Sequence, residues 1–445
     1  MTVANVAGAR RTVVTGLLVV ACVAGSAHAA WGVDEEDSPA TALRVGLDRL
    51  LAEHALLSME VVRSAIVDAP DFDAAAGVLE ENTTEIIAAI EDVYGPEAGA
   101  AFGEQWRNHI GYLVDYARAA TEGDDEASAL ASRQLDRYVA DFSALLADAM
   151  PVLPADTVEH LIDEHVRQLE HVAAFDHADF GHAYPAIRET YSHMFDIGDA
   201  LVIGIVTAFP ERFPGRERAF SPATDLRITL DRLLGEHTYL AALAMRATLN
   251  DAPDRASAAD ALAANSADLA AAIADIYGQA AGDAFGALWD RHVTSYFAYV
   301  AGLADDDDAA VADALEQLRD YRSDFNSFVT DANPYLPDAA LEGLLEAHTD
   351  HLVRQADAYV SGDYEASHAL AREAYVHTAE LSASLASAIR DQFPQRFPDV
   401  AMSPPAKGWP IGAAGALGAL GALGVLSVLV VRSRRARAAG GSVSA

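Results

Sequence analysis

Leu47-Asp48-Arg49-Leu50-Leu51-Ala52-Glu53-His54 returns far downstream as Leu230-Asp231-Arg232-Leu233-Leu234-Gly235-Glu236-His237. The match continues on either side. Asp68-Ala69-Pro70 reappears as Asp251-Ala252-Pro253, Tyr94-Gly95 as Tyr277-Gly278, and Trp106 with His109 as Trp289 with His292. Both copies close alike, on Phe209-Pro210-Glu211-Arg212-Phe213-Pro214 and on Phe393-Pro394-Gln395-Arg396-Phe397-Pro398. Repeats of about 170 residues are domain-sized and far longer than solenoid units. The chain therefore reads as one domain written twice, over residues 38–214 and 222–398.

Apolar residues make up 51% of the 445 and aromatic ones only 8%, with Ala, Leu, Asp and Glu prominent. That mixture favours helices over sheets. In the first copy Pro70, Gly95, Gly123, Pro151 with Pro154, and Asp176 to Asp179 punctuate long helical runs. The spacing predicts helices near 41–68, 96–121, 124–148, 155–176 and 179–208, with one or two shorter helices across 71–94. Short connections make neighbouring helices antiparallel. The expected fold is all-α: two tandem up-and-down bundles of four to five long helices, with one C-terminal transmembrane helix.

The two ends agree on a topology. Arg10 and Arg11, an apolar run from Thr12 to Gly25, and Ala27-His28-Ala29 read as a signal peptide over 1–30. Cys22, following Val19-Val20-Ala21, offers a lipoprotein anchor as the alternative, although Val23 and Ala24 are apolar for a lipoprotein tether. It is the only cysteine, so the exported part has neither disulfides nor thiolate ligands. After a linker at 399–409, residues 410–431 are uncharged, apolar and long enough to span a bilayer. Arg432, Arg434, Arg435 and Arg437 begin a basic tail, 432–445, that belongs on the cytoplasmic side. The reading is a single-pass cell-membrane protein with its bundles outside. Its net charge of -37 repels nucleic acid and anionic lipid, which makes both poor candidate partners.

Histidine carries the chemistry. Beyond the signal peptide, eight histidines form four equivalent pairs: His54 with His237, His109 with His292, His165 with His348, and His193 with His377. Each sits on the apolar stripe of a different long helix: His109 with Phe102, Trp106 and Leu113, His165 with Val158, Leu161 and Leu169. Counted from the helix ends, all four lie roughly 16 to 21 Å from an end of the bundle, at one level. Four unpartnered inward imidazoles would cost several kcal/mol, and a divalent ion removes that cost. Without thiolates the donor set suits copper or zinc first, with iron next. Tyr138 and Asp141, repeated as Tyr321 and Asp324, and Glu189, repeated as Glu373, are placed to orient the histidines by hydrogen bonding.

Three functions fit this pattern. The first is an extracytoplasmic, membrane-anchored metal-binding protein with one histidine site at the centre of each bundle. The second, an enzyme, has little behind it: Glu189 and His193 have the wrong spacing for a carboxylate-bridged di-iron bundle. No Ser-His-Asp pattern or phosphate-binding loop stands out. The third is an anchored ectodomain that binds a protein partner or senses pH through structural histidines. Haem held non-covalently between facing histidines is a variant of the first.

Overall fold

The computed structural model describes residues 37–173 and 180–400, which form thirteen α-helices and no strand. The first repeat supplies α1 (Pro39–Ile66), α2 (Phe72–Tyr94), α3 (Pro96–Glu122), α4 (Asp125–Ala149), α5 (Ala155–Ala173) and α6 (Phe180–Ala208). A short α7 (Arg216–Ala219) leads into the second: α8 (Pro222–Leu249), α9 (Arg255–Tyr277), α10 (Gln279–Ala304), α11 (Asp308–Ala332), α12 (Asp338–Val360) and α13 (Tyr364–Gln392). Among the described residues no helix is long and apolar enough to cross a membrane. The leader 1–30, the apolar span 410–431 and the basic tail 432–445 lie outside the described residues.

Local chemistry sets the helix boundaries. Ser38 and Ser221 cap α1 and α8, each hydroxyl accepting from the backbone N–H of Thr41 or Thr224, with Pro39 or Pro222 following at the first helical position. The turn from α2 into α3 needs a left-handed backbone, and Gly95 supplies it at φ 92°, as Gly278 does in the second repeat. Asp124 starts α4 by accepting from the N–H of Ala127.

One expectation changes. Residues 71–94 are not one or two short bridging helices but a single 23-residue helix, so each repeat has six long helices rather than four or five. The reason is its own apolar stripe: Ala75, Val78, Leu79, Ile86 and Ile90 are all buried. The extra pass reverses the chain once more. Because consecutive helices alternate in direction, α1, α3 and α5 run the same way. Each helix packs on its sequence neighbour and α6 closes back on α1, while α1, α3 and α5 also meet one another inside the ring. The arrangement recurs in the second repeat, where α8, α10 and α12 meet inside.

The repeats are fused along α1 and α8. Every residue of α1 from Ala40 to Ser64 is buried, including Arg44, Asp48, Arg49, Glu53, Glu60 and Arg63. In an isolated helix Glu53 would keep its carboxylate in water. Instead its carboxylate accepts from Asn82 at 2.8 Å and from Arg372 of the other repeat at 3.0 Å. The contacts obey an approximate two-fold. Arg188 reaches Glu236 and Asp268 just as Arg372 reaches Glu53 and Glu85. The Tyr191 hydroxyl donates to the carbonyl of Arg232, and that of Tyr375 to the carbonyl of Arg49. Apolar packing is continuous across the same boundary: Met59, Val62 and Ile187 share a core cluster with Leu240, Leu243 and Tyr296.

Across this boundary, in the last turn of α1, Arg63 donates from Nε to Asp254 at 2.6 Å, with the pair almost wholly excluded from water. Removing one member of such a pair strands the other charge. Arg63→Met is therefore expected to cost about 3 kcal/mol or more in unfolding free energy, read from urea denaturation. A loss below about 1 kcal/mol would show that the pair does not hold the repeats together.

Candidate metal centre

The inner helices α1, α3 and α5 each bring one buried histidine, His54, His109 or His165, roughly three to four turns from the N-terminus of its helix. Running in the same direction, they bring His54, His109 and His165 to one level. Ring centroids are 5.3 Å apart for His54 and His109, and 6.3 Å from each of these to His165. One ring nitrogen from each lies within 4.8 Å of the other two. In the second repeat, α8, α10 and α12 bring together His237, His292 and His348 in the same way, with centroids 5.7 to 6.4 Å apart.

Both triads are walled by aromatic rings. Tyr138 stacks on His109 at 4.7 Å and 18°, and Tyr321 on His292 at 4.8 Å and 21°. Trp106 lies against His54 and His109, and Trp289 against His237 and His292. All six imidazoles are buried, His348 most exposed at 7%. Around the second triad a small cavity of about 10 Å³ is bounded by Trp289, Tyr321, Thr349 and Thr378. That is close to the least room a single water needs. It excludes a porphyrin. His54 and His109 likewise face each other Nε2 to Nε2 at 3.3 Å, which leaves no slot for a haem plane between them.

The fourth histidine of each repeat goes elsewhere. His193 on α6 places Nε2 3.0 Å from the carbonyl of Leu161, one turn before His165, and His377 places Nε2 2.8 Å from the carbonyl of Leu344, one turn before His348. Their Nδ1 atoms turn outward, 3.8 Å from Asp196 and 3.3 Å from Glu380. Both residues thus tie α6 or α13 to the helix bearing a triad member, outside the group of three. Their position on the apolar stripe was legible in sequence, but the carbonyl that faces them was not. Of the residues expected to orient the histidines, Tyr138 and Tyr321 do touch them, through their ring faces. Asp141, Glu189, Asp324 and Glu373 do not share the buried layer. All four lie on exposed faces, Asp324 pairing with Arg291 at 2.9 Å. A helix stripe covers about 100°, so neighbouring turns of the same helix can diverge from core to solvent.

Burial sets the protonation state. Desolvation, followed by the neighbouring His109 and His165, pushes the pKa of His54 well below the ordinary 6.5. Desolvation likewise lowers His109, His237 and His292 to about 3. His165 and His348 move in the same direction, desolvation first and neighbouring histidines second. Six neutral imidazoles result, in the form that binds metal. Among the described residues both ring nitrogens of His165 lack a hydrogen-bond partner, as does Nδ1 of His54. Buried polar atoms left this way cost roughly 1 to 3 kcal/mol each.

No family model matches the chain, and neither a curated protein nor a solved structure matches it.

The depressed pKa values fix the sign of an acid response. Below pH 6.5 the unfolded chain protonates these histidines while the folded chain does not, so stability falls as pH drops from 6.5 toward 3. Each histidine contributes up to about 1.4 kcal/mol per pH unit in that window. Metal-free protein carrying His109→Leu and His292→Leu should show a shallower decline of the urea midpoint between pH 6.5 and 4. An unchanged slope would mean these rings protonate freely in the folded state.

Proposed function

We propose that the protein holds metal ions, one in each histidine triad, in two helical bundles displayed outside the membrane. The observation that carries this reading is the convergence, twice in one chain, of three buried neutral imidazoles whose ring nitrogens lie within 4.8 Å of one another. Two nitrogens bound to one tetrahedral ion at about 2.0 to 2.1 Å stand roughly 3.3 Å apart. His54 and His109 have their Nε2 atoms at 3.3 Å. An ion also supplies the missing partner for ring nitrogens that nothing else satisfies.

All-nitrogen coordination favours copper or zinc, with iron after them. Three neutral ligands leave a dication uncompensated in a buried site, which favours an anionic fourth ligand such as hydroxide. The cavity at the second triad is of that size. Its closure by Trp289, Tyr321, Leu345 and Leu381 supports retention of an ion over turnover of a substrate. His193 and His377 serve as anchors for the helices carrying His165 and His348. The leader at 1–30 and the apolar span at 410–431 ahead of four arginines support export and anchoring, with the C-terminus cytoplasmic. Residues 38–214 and 222–398 act as the paired bundles.

Metal content by mass spectrometry on the full-length chain, without an affinity tag and after exposure to copper or zinc, tests the reading. The double variant His109→Ala, His292→Ala should carry two fewer ions per chain than wild type. His193→Asn with His377→Asn should keep them. Equal metal content in wild type and the His109, His292 variant would remove the basis of the proposal and leave the triads as packed core polar groups.

A further inference from the structure

The approximate two-fold between the repeats breaks at one buried place. On one side, Asp254 is satisfied by Arg63 at 2.6 and 3.3 Å and by the Tyr184 hydroxyl at 2.9 Å. The equivalent of Asp254 is Asp71, that of Arg63 is Arg246, and that of Tyr184 is His368. Here the pattern is not repeated. His368 approaches Asp71 with Nε2 3.0 Å from Oδ2, while Arg246 leans to Glu60, Nη1 to Oε1 2.9 Å. Glu60 occupies the position that Leu243 fills in the second repeat, so packing alone does not require a carboxylate there.

We infer that Glu60, Asp71 and His368 form a third cation site, for a divalent transition ion such as zinc, that bridges the two repeats. One donor atom from each of the three lies within 4.8 Å of the others. All three side chains are almost fully buried: Glu60 is 1% exposed, Asp71 0% and His368 2%. Neither oxygen of Glu60 receives a well-directed hydrogen bond, and no nitrogen of Arg246 makes one either. The charges facing the site are those of Glu60, Asp71 and Asp254 against Arg63 and Arg246, one negative charge more than the guanidiniums cancel. Burying such an excess is costly unless a cation joins it. One imidazole and two carboxylates form a mixed nitrogen and oxygen set that suits zinc, manganese or iron(II). The two positions where the copies differ, Glu60 for leucine and His368 for tyrosine, each add a ligating atom at the same point. Glu60 and Asp71 belong to the first repeat and His368 to the second, so an ion there ties the halves together.

The internal counterpart supplies the variant. Glu60→Leu with His368→Tyr copies the residues of the other side, so that Arg246 is left to Asp71 as Arg63 is to Asp254. The full-length chain is dialysed against zinc, passed through a desalting column and counted for bound metal. The expected counts are three zinc ions for wild type, two for Glu60→Leu/His368→Tyr, and one for His109→Ala/His292→Ala. The isosteric Glu60→Gln should lose the same single ion and guards against a fold defect in the double variant. In the His109→Ala/His292→Ala background, zinc should still raise the thermal midpoint, and adding Glu60→Gln should abolish that rise. Failure of the triads would appear as wild-type zinc content in the His109, His292 variant, whatever happens at Glu60. Unchanged zinc content in both Glu60 variants would overturn this site. If His368→Tyr then removed only an acid dependence of stability, His368 would be a proton-held ion pair with Asp71 and no metal ligand.

Discussion

The structure depends on burying the charged residues of α1 and α8 at the junction of the two repeats. An isolated helix with Arg44, Asp48, Arg49, Glu53, Glu60 and Arg63 along its length would keep those groups in water. Here each is 7% exposed or less. Four of the six face an opposite charge on the other repeat: Asp254 for Arg63, Arg372 for Glu53, Arg246 for Glu60, and Asp225 for Arg44. Such pairs add little net stability compared with apolar contacts of the same volume, but leaving one half unpaired is expensive. The consequence is specificity. Neither repeat can expose α1 or α8 without stranding several charges, and the two halves fold against each other in one register.

That mutual burial places the histidines. With α1 enclosed on every side, His54 has no route to solvent, and its ring must face the interior layer shared with α3 and α5. Trp106, Phe102, Phe142 and Tyr138 form a run of aromatic contacts behind it, with Trp106 stacked on Phe102 at 5.1 Å. Rigid rings of this kind restrict the rotamers of the histidines between them. His193 and His377 add a restraint of another sort, a hydrogen bond to the carbonyl one turn before the third imidazole. Preorganisation of this type lowers the entropy lost when an ion is bound.

Acidity and metal affinity are then two expressions of the same desolvation. Burial disfavours the imidazolium, which keeps the lone pairs available, and it also leaves several nitrogens without a hydrogen-bond partner. A protein that only needed to fill this space would do so at less cost with leucine. The duplicated arrangement keeps the polar rings in both halves. The two halves are not interchangeable elsewhere: Glu60 and His368 have no counterpart of their own type, and the junction between the repeats is where they meet.

The sequence by itself determined the helical class, the repeat, most helix boundaries and, of the four histidines it assigned to each layer, the three that meet there. These are properties of local periodicity and punctuation: an apolar stripe every three to four residues, broken at Gly95 and Gly123. Residues 71–94 were harder because the polar Asn82 and Thr83 interrupt the stripe; both are buried, and Asn82 donates to the Leu50 carbonyl and to Glu53 on another helix. Only the tertiary structure decided that Glu53 faces Arg372, that His193 meets a carbonyl, and that Asp141, Glu189, Asp324 and Glu373 stay in solvent. The physical reason is that a periodic pattern gives the direction of a side chain relative to its own helix, whereas its partner depends on which helix comes to lie opposite. For α1 and α8 that opposite surface belongs to the other repeat, and no pattern within one helix encodes it.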